Sequence, residues 1–148
     1  MTTAHYRVAY ALHQADHAMG TVLDAALRPL GVTAAQAGVL LHLDRYPRAT
    51  MAELSRLAAV TPQTMHRLVT GMERRGLVRR QRLDDDRKSL KVEVTGQGAE
   101  LLGRAEVTLM KEQDALLESF TSSELDQLAG LLDRFGRVFS SRQPAGAA

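Results

Sequence analysis

Apolar residues recur at steps of three and four positions along most of this 148-residue chain, which is the period of an amphipathic helix. The pattern predicts a first helix over about residues 6–28 and further helices that begin at Thr33, Thr50 and Thr61. Threonine is a favoured helix cap, and at the first two sites a Gln or Glu three positions later completes a capping box. Proline at position 62 suits a first helical turn, because the amide that it lacks would have no partner there. We therefore expect four helices before residue 77.

A change to a period of two residues marks the predicted strands. Leu90, Val92 and Val94 alternate with charged residues, and the segment 77–82 is predicted to pair with them as a hairpin. The polar loop 83–89 forms its charged tip. Two more helices are predicted, one over 96–119 and one that begins at Thr121 and has apolar residues in a heptad-type spacing. The pattern predicts a mainly α fold with one two-stranded hairpin.

The third and fourth helices are short, adjacent and separated by a tight turn, which is the helix-turn-helix signature. In the second of them Met65, Leu68, Val69 and Met72 have the spacing of a core-facing stripe. The other positions face outward, and their polar side chains can pair with base edges, while the amides of the first turn suit a phosphate. The predicted DNA contacts on this helix are Thr61, Gln63, Thr64, His66, Arg67, Thr70 and Arg74. The alternative is the ordinary solvated face of an amphipathic helix.

Charge is concentrated in the middle of the chain. The whole sequence has 19 basic and 17 acidic residues, yet residues 61–95 hold nine basic and five acidic side chains. A polyanion would therefore meet this region first. In the hairpin we expect Arg79 and Lys88 to bind phosphate and Arg87 to enter a narrow minor groove. Asp84–Asp86 would hold Arg87 by local pairing, unless they form a charge-balanced turn.

Composition excludes several classes of protein. The chain has no cysteine, which excludes a disulfide scaffold, a thiolate zinc site and a catalytic cysteine. A Gly-rich phosphate loop, a nucleophile elbow and a zinc pair with a general base are all missing, so we expect neither an enzyme nor a cofactor. Apolar runs stay below 18 residues, and the first residues lack a signal-peptide pattern. We therefore expect a cytoplasmic protein with no membrane partner.

Four segments of the chain form a recognisable set: Ala52-Glu-Leu-Ser-Arg-Leu-Ala-Ala-Val-Thr-Pro-Gln-Thr, Leu68-Val-Thr-Gly-Met-Glu-Arg-Arg-Gly-Leu-Val, Asp85-Asp-Arg-Lys and Val94-Thr-Gly-Gln-Gly98. In order and spacing they resemble the MarR family of bacterial transcription regulators. The resemblance extends over about residues 33–140. It implies a winged-helix homodimer in which residues 62–75 enter the major groove and Arg87 enters the minor groove. It also implies a repressor that a small aromatic or phenolic anion releases from double-stranded DNA.

The resulting fold class is a winged helix-turn-helix with a two-stranded wing and long N- and C-terminal dimerisation helices. Residues 33–95 would form the DNA-binding region, 5–30 with 96–142 the dimerisation region, and 143–148 a disordered tail. A symmetric dimer would favour an inverted-repeat operator. Apolar stripes on the terminal helices supply the predicted interface: Leu12, Met19, Leu23, Leu125, Leu132 and Phe139.

Three histidines are candidate ligand-binding residues. His13 and His17 are four positions apart, a spacing that can hold a metal, but the sequence nearby lacks a third ligand. With His42 they could instead line an effector pocket, or all three could be surface residues. Two other functions stay open: a winged-helix module that binds protein, and a metal-responsive regulator.

Overall fold

The computed structural model describes residues 3–82 and 90–140, with side chains for 6–82 and 90–138. It has the predicted order of four helices, a hairpin and two helices. The bounds are α1 Thr3–Leu27, α2 Ala34–Arg45, α3 Met51–Leu57, α4 Pro62–Arg74, β1 Val78–Arg82, β2 Leu90–Val94, α5 Gly96–Leu117 and α6 Ser122–Ser140. The mainly α architecture is confirmed. In the described part of the chain, each helix is too short or too polar to span a bilayer.

Threonine caps fix where the central helices begin, as predicted. At α2 the hydroxyl of Thr33 accepts from the Gln36 amide at 3.2 Å, and the Thr33 amide donates to Gln36 Oε1 at 3.1 Å. At α3 the Thr50 amide donates to Glu53 Oε2 at 2.7 Å, and the Thr50 hydroxyl accepts from the Glu53 amide at 3.2 Å. Each box satisfies amides that the first turn leaves without helical partners. These contacts are local, which is why the sequence predicts them well.

Several predicted boundaries were wrong by one to three residues, among them the end of α5, which lies at Leu117 and not at residue 119. Helix α1 runs from residue 3 to Leu27, and a short 3-10 turn, Arg28–Leu30, follows it because Pro29 and the left-handed Gly31 end the helix. Strand β1 begins at Val78, one residue later than predicted. Leu77 instead lies in the turn that follows α4, where its amide donates to the Met72 carbonyl at 3.0 Å.

The wing is an antiparallel pair in which Val78 faces Val94 and Arg80 faces Val92. Val78 and Val92 are buried, so one face of the pair covers the core and the other is open to solvent. A single bridge between Thr50 and Lys91 attaches the start of α3 to β2. The hairpin is therefore fastened to the helix-turn-helix on its inner face and along one edge.

The core lies between α2, α3, α4, the hairpin and the first half of α5, in the unit formed by residues 1–112. Its fully buried side chains include Leu27, Val39, Leu40, Leu54, Met65, Val69, Met72 and Val92. Helical spacing predicts that Leu57 shares the buried face of α3 with Leu54, but that prediction was wrong, because Leu57 is 37% exposed. Leu57 is the last residue of α3 and lies about 60° around the helix from Leu54, at the edge of the buried face.

The terminal helices expose apolar side chains. On α1, Met19 is 46% exposed, whereas Leu23 is 8% exposed and thus already covered within one chain. In the second unit, residues 113–148, α6 begins at a capping box in which the Thr121 amide donates to Glu124 Oε2 at 2.8 Å. Its Leu128, Leu131 and Leu132 are 43%, 55% and 42% exposed. The predicted division into a DNA-binding and a dimerisation region stays a prediction.

Of the other interface residues predicted, Leu12 and Leu125 are half-buried. Phe139 belongs to the backbone of α6, but its side chain lies outside the described residues, as does the predicted tail 143–148. The interface itself therefore stays a prediction.

Candidate nucleic-acid interface

The outward face of α4 is polar and open. Gln63, His66 and Arg67 are exposed and, with Thr64, line a shallow concavity of about 490 Å³. The opposite face is fully buried through Met65, Val69 and Met72, while Leu68 is half-buried. Because the buried face fixes the helix against the core, the four polar side chains are presented together on a rigid element.

The first turn of α4 is closed by its own cap. The Thr61 hydroxyl accepts from the Thr64 amide at 3.2 Å and donates to the Thr64 hydroxyl at 2.9 Å, and Pro62 occupies the first helical position. The expectation of free amides across 61–64 therefore needs correction, since the Thr64 amide already has an acceptor. The positive end of the helix dipole remains there and still favours a phosphate.

Thr70 lies further along α4 and contacts the wing. Its hydroxyl accepts from Arg80 Nη2 at 2.5 Å. The Arg80 amide donates to Glu73 Oε1 at 3.0 Å, and Arg80 Nη1 lies 3.7 Å from Glu73 Oε2. Arg80 thus joins α4 to β1, so in this structure Thr70 is part of the packing of α4 against the wing. Whether Thr70 also contacts DNA stays a prediction.

Sequence reasoning missed this role of Arg80, although a signal was present. Strand alternation places Arg80 on the same face as the buried Val78 and opposite the buried Val92. The Arg80 side chain is 19% exposed, and its Nε is buried without a hydrogen-bond partner among the described residues. An arginine on the inner face of a strand indicates a structural contact more than a free cation.

The outer face of the wing holds an ion triad. Arg79 donates to Glu93 Oε2 from Nε at 3.1 Å and from Nη2 at 2.9 Å, and Arg48 Nε lies 3.3 Å from Glu93 Oε1. The Arg79 side chain is 62% exposed, whereas that of Glu93 is 18% exposed. Arg79 therefore reaches solvent while it is paired with Glu93, which Arg48 also contacts. Arg87 and Lys88 lie outside the described residues, and Arg74 is exposed at the end of α4.

The histidines named as effector-pocket candidates are dispersed. His13 and His17 are exposed on α1, and His42 is half-buried on α2. A cavity of about 440 Å³ lies between α2, β2 and α5, and its lining includes Asp44, Arg48 and Glu106 but none of these three histidines. Across residues 3–82 and 90–140, no group of three or more His, Asp or Glu side chains could hold a metal ion.

Comparison with known proteins identifies the family. Residues 30–89 match the family model described as MarR family. The HTH-type transcriptional repressor Rv2887 of Mycobacterium tuberculosis is 30% identical over 127 residues, which cover 86% of this chain and 91% of that protein. The chain belongs to the MarR family. The predicted family of transcription regulators is therefore confirmed.

Two further proteins extend the comparison. The homoprotocatechuate degradative operon repressor of Escherichia coli is 27% identical over 139 residues, which cover 94% of each chain. The solved structure of the transcriptional repressor CouR bound to a 23-mer DNA duplex is 27% identical, covers 86% of this chain and 91% of that one, and gives a TM-score of 0.81. The predicted winged-helix fold is confirmed by this likeness.

Proposed function

We propose that the protein is a sequence-specific DNA-binding repressor that acts in the cytoplasm as a homodimer and has no catalytic activity. The observation that carries this proposal is the division of α4 into a buried apolar face and an outward polar face, on which Gln63, His66 and Arg67 are exposed and Thr64 is half-buried. A major groove admits an α-helix, and these side chains include the residue types that pair with adenine and guanine edges.

The proposed DNA contacts are of two kinds, contacts to base edges and contacts to phosphates. Gln63, Thr64 and Arg67 read base edges, because they lie near the N-terminal end of α4, which is the part of a recognition helix that contacts bases. Arg74, at the C-terminal end of α4, and Arg79, on β1, bind phosphates. Lys88 and Arg87, in the wing tip, would add a phosphate contact and a minor-groove contact. Phosphate contacts supply affinity and register, whereas base contacts supply specificity.

The exposed leucines of α6 support a homodimer. Leu128, Leu131 and Leu132 place three apolar side chains within five positions, each more than 40% exposed. Contiguous exposed apolar surface is typical of interaction sites, and a two-fold axis lets one stripe cover its copy. We expect Leu128→Glu with Leu131→Glu to give a monomer in light scattering, while the exposed polar change Gln127→Glu on the same helix leaves the mass unchanged. A wild-type monomer at micromolar concentration would contradict the dimer.

A small aromatic or phenolic effector is the proposed signal for release. The E. coli relative is, by its name, the repressor of an operon that degrades homoprotocatechuate, which is an aromatic acid. A repressor that responds to such compounds would let the compound switch on its own degradation.

The proposed function can be tested on duplexes of random sequence. The full-length protein is used to select duplexes from a randomised pool, and the enriched duplex is titrated by fluorescence anisotropy at several salt concentrations. We expect an inverted repeat whose half-sites lie about 10 base pairs apart, and an affinity that falls steeply with salt. A pool without enrichment, or binding that salt does not weaken, would contradict the proposal and favour a protein-binding module.

A further inference from the structure

The turn that ends α4 contacts the chain on both sides of the winged helix. This end turn, residues 75–77, is held to α4 because the Gly76 amide donates to the Glu73 carbonyl at 2.9 Å. Bonds of this kind close the last turn of a helix. The Arg75 side chain and the carbonyls of the end turn contact the segments that precede α2 and α5.

The Arg75 side chain joins the end turn to the C-terminal end of α1. Its Nη1 donates to the Gly31 carbonyl at 2.5 Å, across 44 positions of sequence. Gly31 follows α1 by one short turn, and the last residue of α1, Leu27, is fully buried in the core. Earlier in α1, Asp24 Oδ1 accepts from the Ala34 amide at 2.6 Å. The end of α1 is therefore attached to α2 directly and to α4 through Arg75.

Thr95 joins the end turn to the start of α5. Its hydroxyl donates to the Gly76 carbonyl at 2.5 Å, and its amide donates to the Leu77 carbonyl at 3.1 Å. The same hydroxyl accepts from the Gly98 amide at 3.1 Å and so caps the first turn of α5. A shift of α5 against the end of α4 would therefore also break this helix cap.

These contacts link α4 to the predicted dimerisation helices. The predicted dimerisation region, 5–30 with 96–142, contains most of α1 and all of α5. In a two-fold dimer formed by these helices, the two end turns would hold the two copies of α4 at a fixed separation. One base pair inserted between two half-sites moves the second by about 3.4 Å and turns it by about 34° around the duplex. A dimer held in this way distinguishes operators by their spacing, without contacts to the bases between the half-sites.

We propose that Arg75 is a positioning residue that fixes the spacing of the operator half-sites. Its side chain is exposed at the C-terminal end of α4, so its replacement leaves the buried face of the helix intact and removes the contact with Gly31. Helix α4 would then remain attached to α5 through Thr95 but would lose this link to α1. The inference rests on the proposed function, since half-site spacing has meaning for a dimer on an inverted repeat.

The experiment measures the affinity of the full-length protein and its variants for duplexes that differ in spacing. The half-sites are those selected by the wild type, one base pair is inserted or deleted between them, and fluorescence anisotropy gives Kd. We expect the wild type to lose about tenfold or more on each altered duplex. Arg75→Gln, whose side chain is too short to reach the Gly31 carbonyl, should lose less than about threefold. Its preference for the selected base pairs within each half-site should stay within about twofold of the wild type, because the base-contacting residues are unchanged.

Two further variants control the comparison. Arg28→Gln removes the same charge from an exposed arginine in the short turn that ends at Gly31, and it should retain the wild-type spacing preference. Arg75→Lys keeps the charge but has a shorter reach and lacks the planar fork, so it should give an intermediate preference. Circular dichroism and light scattering check the fold and the dimer of each variant. If Arg75→Gln does not fold, Arg75→Lys decides the question: an intermediate preference supports the proposal, and a wild-type preference contradicts it.

The contrary results separate this inference from the proposed function. Suppose that Arg75→Gln weakens binding to every duplex alike, reduces the salt slope by about one and keeps the wild-type spacing preference. Arg75 is then a phosphate contact, and its positioning role is wrong while the proposed function stands. A wild-type protein that selects no inverted repeat, or that binds all spacings equally, contradicts the proposed function and the positioning role together.

Discussion

The start of α5 depends on a glycine whose replacement has a calculable cost. A Cβ on Gly98 would overlap the carbonyl oxygen of Leu77 and would lie 2.9 Å from Val94 Cγ1. The Leu77 carbonyl cannot move freely, because it accepts from the Thr95 amide and from the Thr95 hydroxyl, both at 3.1 Å. Gly98→Ala must therefore displace the first turn of α5 from the wing.

Gly103 in the same helix is the matched control. A Cβ there meets no atom within 4 Å. Alanine in an open helix interior stabilises by roughly 0.5–1 kcal/mol relative to glycine. At Gly98 the same gain is opposed by an overpacking cost of about 1–3 kcal/mol, increased further because a backbone carbonyl has to move. We expect Gly98→Ala to lower the free energy of unfolding by about 1–3 kcal/mol and Gly103→Ala to raise it by about 0.5–1 kcal/mol.

Circular dichroism melts and urea titrations of the two variants test this difference. For a chain of this size each kcal/mol shifts Tm by about 2–4 °C, so the two variants should differ by roughly 3–16 °C. Equal stability of Gly98→Ala and Gly103→Ala would refute the packing of α5 against the Leu77 carbonyl. Both variants replace a glycine with alanine in the same helix, so helix propensity alone cannot produce a difference in stability between them.

Three further predictions concern α4 and its neighbours. Thr61→Ala removes the α4 cap and should lower the free energy of unfolding by about 1 kcal/mol in urea titration, whereas Thr61→Ser should retain it. Arg80→Met and Thr70→Val should be non-additive by at least about 0.5 kcal/mol in a double-mutant cycle, and additive losses would exclude their coupling. The folded-state pKa of Glu53 is lowered, so its stabilisation is present above about pH 4.5 and is lost as the pH falls through the folded value. Glu53→Gln should therefore flatten that acid dependence in urea titrations across pH 3–6, and an unchanged profile would contradict it.

Features that depend on neighbours in sequence were predictable. The Thr33 and Thr50 caps use partners three positions away, and the two faces of α4 follow from helical periodicity. The contact of Arg80 could not be predicted in this way, because its partner Thr70 lies ten positions earlier, across the end of a helix. Gly98 gave no packing signal in the sequence, since the oxygen that excludes a side chain belongs to Leu77.

The ligand-candidate histidines were chosen by residue type alone. They are dispersed over two helices, and their role in binding a small molecule stays a prediction.

The central claim is that the exposed face of α4 reads base edges. It is tested by measuring the affinity of Arg67→Ala and Arg74→Ala for the selected operator and for operators with one base pair changed in each half-site. We expect Arg67→Ala to lose about 1–3 kcal/mol on the operator and to lose most of the preference against the changed sequences. Arg74→Ala should weaken every duplex alike and reduce the salt slope by about one. Uniform loss with intact preference in Arg67→Ala would contradict the claim that this helix reads the sequence.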